Sequence, residues 1–192
     1  MRAAWDPNNQ LVRAYPPFGI QIELWMTACW EDKGLDEKPY VFEIHRSPER
    51  QDELYIVGRR GVAGEKIRTK AKAWYSLHQY GCGSDIVKDG QKEKPGLQAL
   101  WADRKWYKRL ADIAREASPG IDWSGDWIHF QELCHFENRF GLTIPQFLDV
   151  HKRVQSAFNS GGMPQSSVGQ FAEQRLRALY DQLDDQIALV DT

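Results

Sequence analysis

Ser76-Leu77-His78-Gln79-Tyr80-Gly81-Cys82-Gly83-Ser84-Asp85 sets an imidazole and a carboxylate on either side of two glycines. A turn here must bring both side chains to one centre, and glycine permits the positive φ that such a turn often needs. A second stretch answers it: Asp122-Trp123-Ser124-Gly125-Asp126-Trp127, then Glu132-Leu133-Cys134-His135-Phe136-Glu137. Glu132 and His135 can face one way on a helical turn. Together the two stretches offer two imidazoles and a carboxylate for a divalent metal, with a second carboxylate beside them. A catalytic zinc takes three protein ligands from His, Asp, Glu or Cys and keeps its fourth position for water. His78, Asp85 and His135 meet that requirement, and Glu132 is left to move protons. Singly each is ordinary, because a lone His is more often a hydrogen-bonded structural residue and most Asp are solvated. The joint pattern carries the reading.

Outward from these stretches the chain alternates helix and strand. Phe18, Ile22, Trp25 and Cys29 recur at helical spacing between Phe18 and Lys33, with Gly34 as a stop. Tyr40 to His45 reads as a strand with Tyr40, Phe42 and Ile44 on one side. Ser47 reads as an N-cap with Pro48 in the first helical position, for a helix to about Val57 that closes at Gly58. Residues 58–70 have the make-up of a surface loop beside a site. Asp85 to Val87 is a short strand, residues 88–96 a polar loop, and His135 to Glu137 another strand. Leu97, Leu100, Trp101, Tyr107, Leu110 and Ile113 or Ala114 mark one or two helices ending before Pro119-Gly120. Residues 1–17 read as irregular, with Pro7, Pro16 and Pro17 as breakers. Strands with helices between them indicate an α+β fold.

After Phe140 the character changes. Thr143 and Gln146 resemble a capping box, and Ile144, Phe147, Leu148, Val154 and Phe158 follow at helical spacing. Asn159-Ser160-Gly161-Gly162 breaks the pattern. A last amphipathic helix carries Ala172, Leu176, Leu179, Leu183, Ile187 and Val190 on one stripe. The expected organisation is therefore a domain over residues 1–140 and a C-terminal appendage of two helices over 141–192. That last stripe is read as core packing, with a homodimer seam as the alternative.

Composition narrows the class. With 192 residues the chain can bury a core without staples. A net charge of −2 without a basic run shows no nucleic-acid footprint. Cys29, Cys82 and Cys134 make an odd count without CxxC spacing, which argues against a disulfide framework and for a reducing compartment. The start, Met1-Arg2-Ala3-Ala4-Trp5-Asp6-Pro7, lacks the apolar core of a secretory signal. No apolar run approaches the ~18 residues of a membrane span. The expectation is a protein made in the cytoplasm. Eight Trp is a high count, and Trp often lines sites that grip extended polar ligands.

The two stretches resemble the zinc D-alanyl-D-alanine carboxypeptidases and L-alanyl-D-glutamate endopeptidases that cut peptidoglycan stem peptides, phage endolysins among them. That family's Ser-x-His-x-x-Gly-x-Ala-x-Asp is matched by Ser76, His78, Gly81, Gly83 and Asp85, with Gly83 for Ala. Its Trp-Gly-Gly-Asp-Trp, then Asp or Glu-x-x-His-Phe, is matched by Trp123-Ser124-Gly125-Asp126-Trp127, then Glu132, His135 and Phe136, with Ser124 for Gly. Its Tyr-Arg-Ser/Thr, then Gln and Leu-Tyr, is matched by His45-Arg46-Ser47, Gln51 and Leu54-Tyr55, with His45 for the aromatic. The resemblance runs from Tyr15 to Glu137, and no departure removes a ligand.

The resemblance implies a small, mainly antiparallel sheet carrying zinc on His78, Asp85 and His135, with helices packed on one side. It implies Glu132 as general base and acid for attack of zinc-bound water, and Arg46 projecting into the site. Arg46, always cationic and forked, can stabilise an oxyanion or grip a substrate carboxylate. A surface salt bridge is its bland alternative, and Arg50 or Arg59 can take its part. Ser76, Gln51 and Trp127 are assigned to substrate contact, with capping of a turn as the alternative for Ser76. Trp127 and Tyr80 are expected to wall the cleft, Cys82 and Cys134 to pack as small residues, and His129 and His151 to be solvated. The partner so implied is the peptidoglycan stem peptide. Trp-x-Gly-Asp-Trp and Gly58-Arg59 favour the L-alanyl-D-glutamate endopeptidases, whose phage members reach the wall after a holin or lysis opens the membrane. A D,D-carboxypeptidase, a non-catalytic wall-binding module on the same fold, and a structural phage component remain as alternatives.

Overall fold

In the computed structural model, residues 3–88 and 103–159 are described. The chain divides into two compact units, Met1–Asn138 and Arg139–Thr192. The first is an α+β unit built on a four-stranded antiparallel sheet. Its strands are β1 (Pro39–Glu43), β2 (Gly83–Lys88), β3 (Asp122–Trp123) and β4 (His135–Glu137), in the spatial order β1-β2-β4-β3.

Helix α1 (Pro16–Glu31) starts on two prolines, which lose nothing in a first turn whose N–H groups lack partners anyway. It buries the expected face of Phe18, Ile22, Trp25 and Cys29, and Met26 beside it. Helix α3 (Arg104–Ala117) is capped by the Asp103 carboxylate, which accepts from Trp106 N at 3.0 Å, and buries Trp106, Tyr107, Leu110, Ala111, Ile113 and Ala114. Trp25 Nε1 donates to the Leu110 carbonyl at 2.9 Å, tying the two helices together. Tyr107 donates its hydroxyl to the Ile86 carbonyl at 3.1 Å, tying α3 to β2. Phe136 of β4 packs on Trp25 with ring centroids 4.5 Å apart. The central strands β2 and β4 are thereby anchored to the core, and the site stands on them.

Several boundaries differ from the sequence reading. The strand expected over Tyr40–His45 ends at Glu43, and a register shift between Val41 and Glu43 breaks its alternation. Arg46 therefore lies in the connection to α2 (Pro48–Ile56) rather than at a strand end. Residues 1–17 are more ordered than their prolines suggest. Leu11–Arg13 form a 3-10 turn whose entry is fixed by the Asp6 carboxylate, which accepts from Gln10 N at 2.7 Å and Leu11 N at 2.9 Å. Strand β3 was not anticipated, because two residues carry no periodicity. Helix α2 begins as expected, with Ser47 Oγ accepting from Arg50 N at 3.2 Å.

In the second unit, α4 (Ile144–Asn159) starts at Thr143, whose backbone N–H donates to Gln146 Oε1 at 2.8 Å. Leu142, Phe147 and Val150 are buried. The polar loop, Leu97, Leu100 and Trp101 lie largely outside the described residues. The last amphipathic stripe and its dimer seam lie wholly outside them. Among the described residues no helix is long and apolar enough to cross a membrane.

Candidate metal centre

Sheet register assembles half of the site. Asp85 on β2 pairs with His135 on β4 and with Glu43 on β1, so one row across the sheet holds all three on a common face. His78 comes from a 3-10 turn, Leu77–Tyr80, where Gln79 Oε1 accepts from Ser76 N at 3.2 Å. The turn closes at Gly81 in the left-handed region, φ 68°, where a Cβ would lie 2.7 Å from Arg13 O and Tyr15 N. At Gly83 a Cβ would lie 3.1 Å from His135 Cε1 and 3.2 Å from His78 N. Even an alanine is tight there.

His78, Asp85 and His135 are buried, and their inner atoms form a near-equilateral triangle. His78 Nε2 is 3.1 Å from His135 Nδ1, His135 Nδ1 is 3.2 Å from Asp85 Oδ1, and His78 Nε2 is 3.4 Å from Asp85 Oδ1. Ligands on a tetrahedral zinc at ~2.0–2.1 Å stand roughly 3.3–3.4 Å apart. The donor set therefore fits such an ion in spacing and in chemistry.

Each inner atom is aimed by a bond at the outer side of its residue, as metal ligands require. His78 donates Nδ1–H to the Ile44 carbonyl at 2.9 Å, which leaves the Nε2 lone pair inward. His135 donates Nε2–H to Glu137 Oε2 at 3.1 Å, which leaves Nδ1 inward. Arg46 donates Nη2–H to Asp85 Oδ2 at 2.9 Å, which leaves Oδ1 inward. Glu43 and Glu137 were not singled out from sequence. For Glu137 a signal existed, since it follows His135 by one strand period and so shares its face.

Burial disfavours a charged His135, but hydrogen bonds to Asp85 and Glu137 outweigh it and push its pKa up to about 10. Asp85 is held well below the usual carboxylate range: burial opposes ionisation, and the imidazoles and Arg46 overcome it. Glu132, half-buried, is pushed up to about 7 by burial, with His135 and Arg46 pulling the other way and Asp85 adding to the rise. Its carbonyl accepts from His135 N at 3.0 Å and from the Ser124 hydroxyl, whose oxygen also lies 3.1 Å from the His135 carbonyl. Ser124 therefore braces the turn that joins Glu132 to His135, a role its place in the pattern did not suggest.

The remaining sequence candidates distribute as follows. Arg46 is mostly buried and bonds Glu43 Oε2 through Nε at 2.7 Å, Gln51 Oε1 at 3.0 Å and Asp85. Arg50 pairs with Glu53 at the surface, and Arg59 bonds the Tyr55 and Thr69 carbonyls. Gln51 is fully buried and also donates to the Ala71 carbonyl at 2.8 Å, so it stands as a support for Arg46. Ser76 is half-buried at the start of the His78 turn. Trp127 sets its ring edge-on to His135, centroids 5.9 Å apart, and Tyr80 bonds the Trp74 carbonyl at 2.9 Å. Cys134 Sγ lies 3.9 Å from Asp85 Oδ1, and burial pushes the thiols of Cys82 and Cys134 up. His129 is exposed, while His151 is half-buried rather than solvated, which lowers its pKa.

No family model and no curated protein matches the chain. Among solved structures it is similar to the Serratia marcescens L-Ala D-Glu endopeptidase ChiX. That likeness is 20% in sequence identity, with a TM-score of 0.49, over 73% of this chain and 91% of that one.

Proposed function

We propose that this chain is a zinc-dependent peptidase that hydrolyses a peptide bond in peptidoglycan stem peptides, the L-Ala–D-Glu bond in particular. The chemistry is assigned to residues 1–140, with 141–192 as an appendage that takes no part in it. The observation that carries the reading is the triangle of His78 Nε2, Asp85 Oδ1 and His135 Nδ1, aimed from outside, with a proton-exchanging carboxylate nearby. The substrate class is supported by the three motifs in consistent order along the chain.

His78, Asp85 and His135 would hold the ion. A zinc ion there supplies Lewis acidity, lowering the pKa of a water to about 7 and polarising a carbonyl. Glu132 takes the proton of the attacking water and returns it to the leaving amine. A carboxyl poised near neutrality can do both, because neither protonation state is strongly preferred. Arg46 holds Asp85 in one orientation and contributes positive potential to the site. Trp127 forms an apolar wall beside His135.

The test is mass spectrometry of purified peptidoglycan incubated with zinc-loaded protein beside a chelated sample. New zinc-dependent fragments with masses of L-Ala–D-Glu cleavage are expected. Loss of terminal D-Ala alone would assign a D,D-carboxypeptidase instead. Unchanged muropeptides with zinc bound would overturn the peptidase and favour a binding module.

A further inference from the structure

Beside the cluster lies an open pocket of about 680 Å³ lined by Arg13, Glu43, His45, Arg46 and Ser47. It shares Glu43 and Arg46 with the network that orients Asp85. Arg46 sits between the Glu43 and Asp85 carboxylates and shares its one positive charge between them. Glu43 bonds Arg46 through one carboxylate oxygen and stays partly exposed in the lining, so an incoming ligand meets the donors of Arg13, His45 and Ser47 with one acid at their edge.

Arg13 is exposed, and among the described residues its side chain forms no hydrogen bond or ion pair, so its guanidinium donors are available to a ligand. His45 is half-buried and lies in the field of Arg13. Ser47 Oγ accepts from Arg50 N at 3.2 Å and keeps its own O–H to donate.

Arg13 is also held in place. The Asp6 carboxylate fixes the entry of its turn, and Gln10 Oε1 accepts from Ile44 N at 3.2 Å. Tyr15 N donates to the Gly81 carbonyl at 2.9 Å. The Gln10 side chain before Arg13 and the Tyr15 backbone after it are thus bonded to the segments that carry His45 and His78. A guanidinium fixed at its base, beside an imidazole and a hydroxyl, matches a planar anion with two acceptor oxygens.

We propose that Arg13, His45 and Ser47 form a carboxylate-recognition subsite that selects acidic peptides for the neighbouring centre. This rests on the peptidase reading above. The D-Glu residue of such a substrate, linked through one carboxyl, offers its other carboxylate to the pocket.

The experiment uses the 192-residue chain, zinc-loaded and carrying Glu132→Gln, so that binding is read without turnover. The probes are an acetylated L-Ala-D-Glu stem peptide with its free D-Glu carboxylate and the same peptide with that carboxylate amidated, titrated by calorimetry. The acid is expected to bind roughly tenfold or more tightly than the amide, the scale of one hydrogen bond to a charged group. Adding Arg13→Gln should erase that difference and leave amide binding unchanged, and His45→Gln should reduce it. Equal binding of acid and amide, binding of neither, or a preference that survives Arg13→Gln would overturn the subsite. An Arg13-dependent preference in a protein whose unsubstituted form cuts neither peptide would keep the subsite and remove the peptidase.

Discussion

At Glu132 the physics and the proposed chemistry meet most directly. Burial lifts its pKa to about 7, while the atoms that face the candidate ion come from other residues. Charge can therefore be removed here without touching a ligand. Glu132→Gln keeps the shape of the side chain and abolishes its basicity. Hydrolysis should fall by roughly 10²- to 10⁴-fold, the usual worth of a positioned base. Zinc content, read by metal analysis after desalting, should stay at that of the parent. Retained activity would sink the assignment, and lost zinc would make Glu132 a ligand instead of a base.

Among the elements, β2 and β4 decide how the ligands point. Glu137 follows His135 on β4 and receives its Nε2–H. Glu137→Ala leaves that donor without its carboxylate and frees the ring to turn, so zinc affinity should drop about 10- to 100-fold. Glu137→Gln, which still offers an acceptor oxygen, should recover part of the loss in a chelator competition. On β2, Ser84 is fully buried opposite Phe136, and its hydroxyl has no hydrogen-bond partner among the described residues. Ser84→Ala relieves an unsatisfied polar group, and chemical denaturation should find it neutral to about 1 kcal/mol more stable. A clear destabilisation would mean that the hydroxyl is satisfied in solution.

The same strands show what a sequence can tell. The α1 face, the Ser47 cap and the Thr143–Gln146 contact are local, and each was readable within a few residues. The convergence of His78, Asp85 and His135 was readable from the two stretches together and from the motifs they resemble. Register was not readable. The row Glu43–Asp85–His135 depends on a shift in β1, and the pinned turn at Leu11–Arg13 depends on Asp6 and Gly81. Those are long-range choices that no single stretch records.

For the whole molecule, the site concentrates ionisable groups inside the first unit, and its stability should report on them. Without metal, Glu132 and His135 are the groups of the site that bind protons more tightly folded than unfolded and change protonation between pH 6 and pH 8. Glu132 is raised from 4.5 to about 7, so the stability its protonation gives is complete below 4.5 and lost as pH rises to about 7. His135 is raised from 6.5 to about 10, so its contribution is complete below 6.5 and lost as pH rises through about 10. Both slopes have one sign, and His45 and His151, lowered by burial, oppose them only up to their unfolded value of 6.5, so the metal-free fold weakens from pH 6.5 to pH 8. Zinc needs the His135 imidazole deprotonated, so its affinity rises over that interval. A ligand at 100 times its Kd adds about 2.7 kcal/mol, roughly 5–10 °C in Tm at this size. The Tm difference between zinc-loaded and chelated protein should therefore be larger at pH 8 than at pH 6 at the same zinc concentration. A difference independent of pH would mean that His135 is already neutral in the metal-free protein. A difference that shrinks as pH rises would mean that zinc binds away from His78, Asp85 and His135.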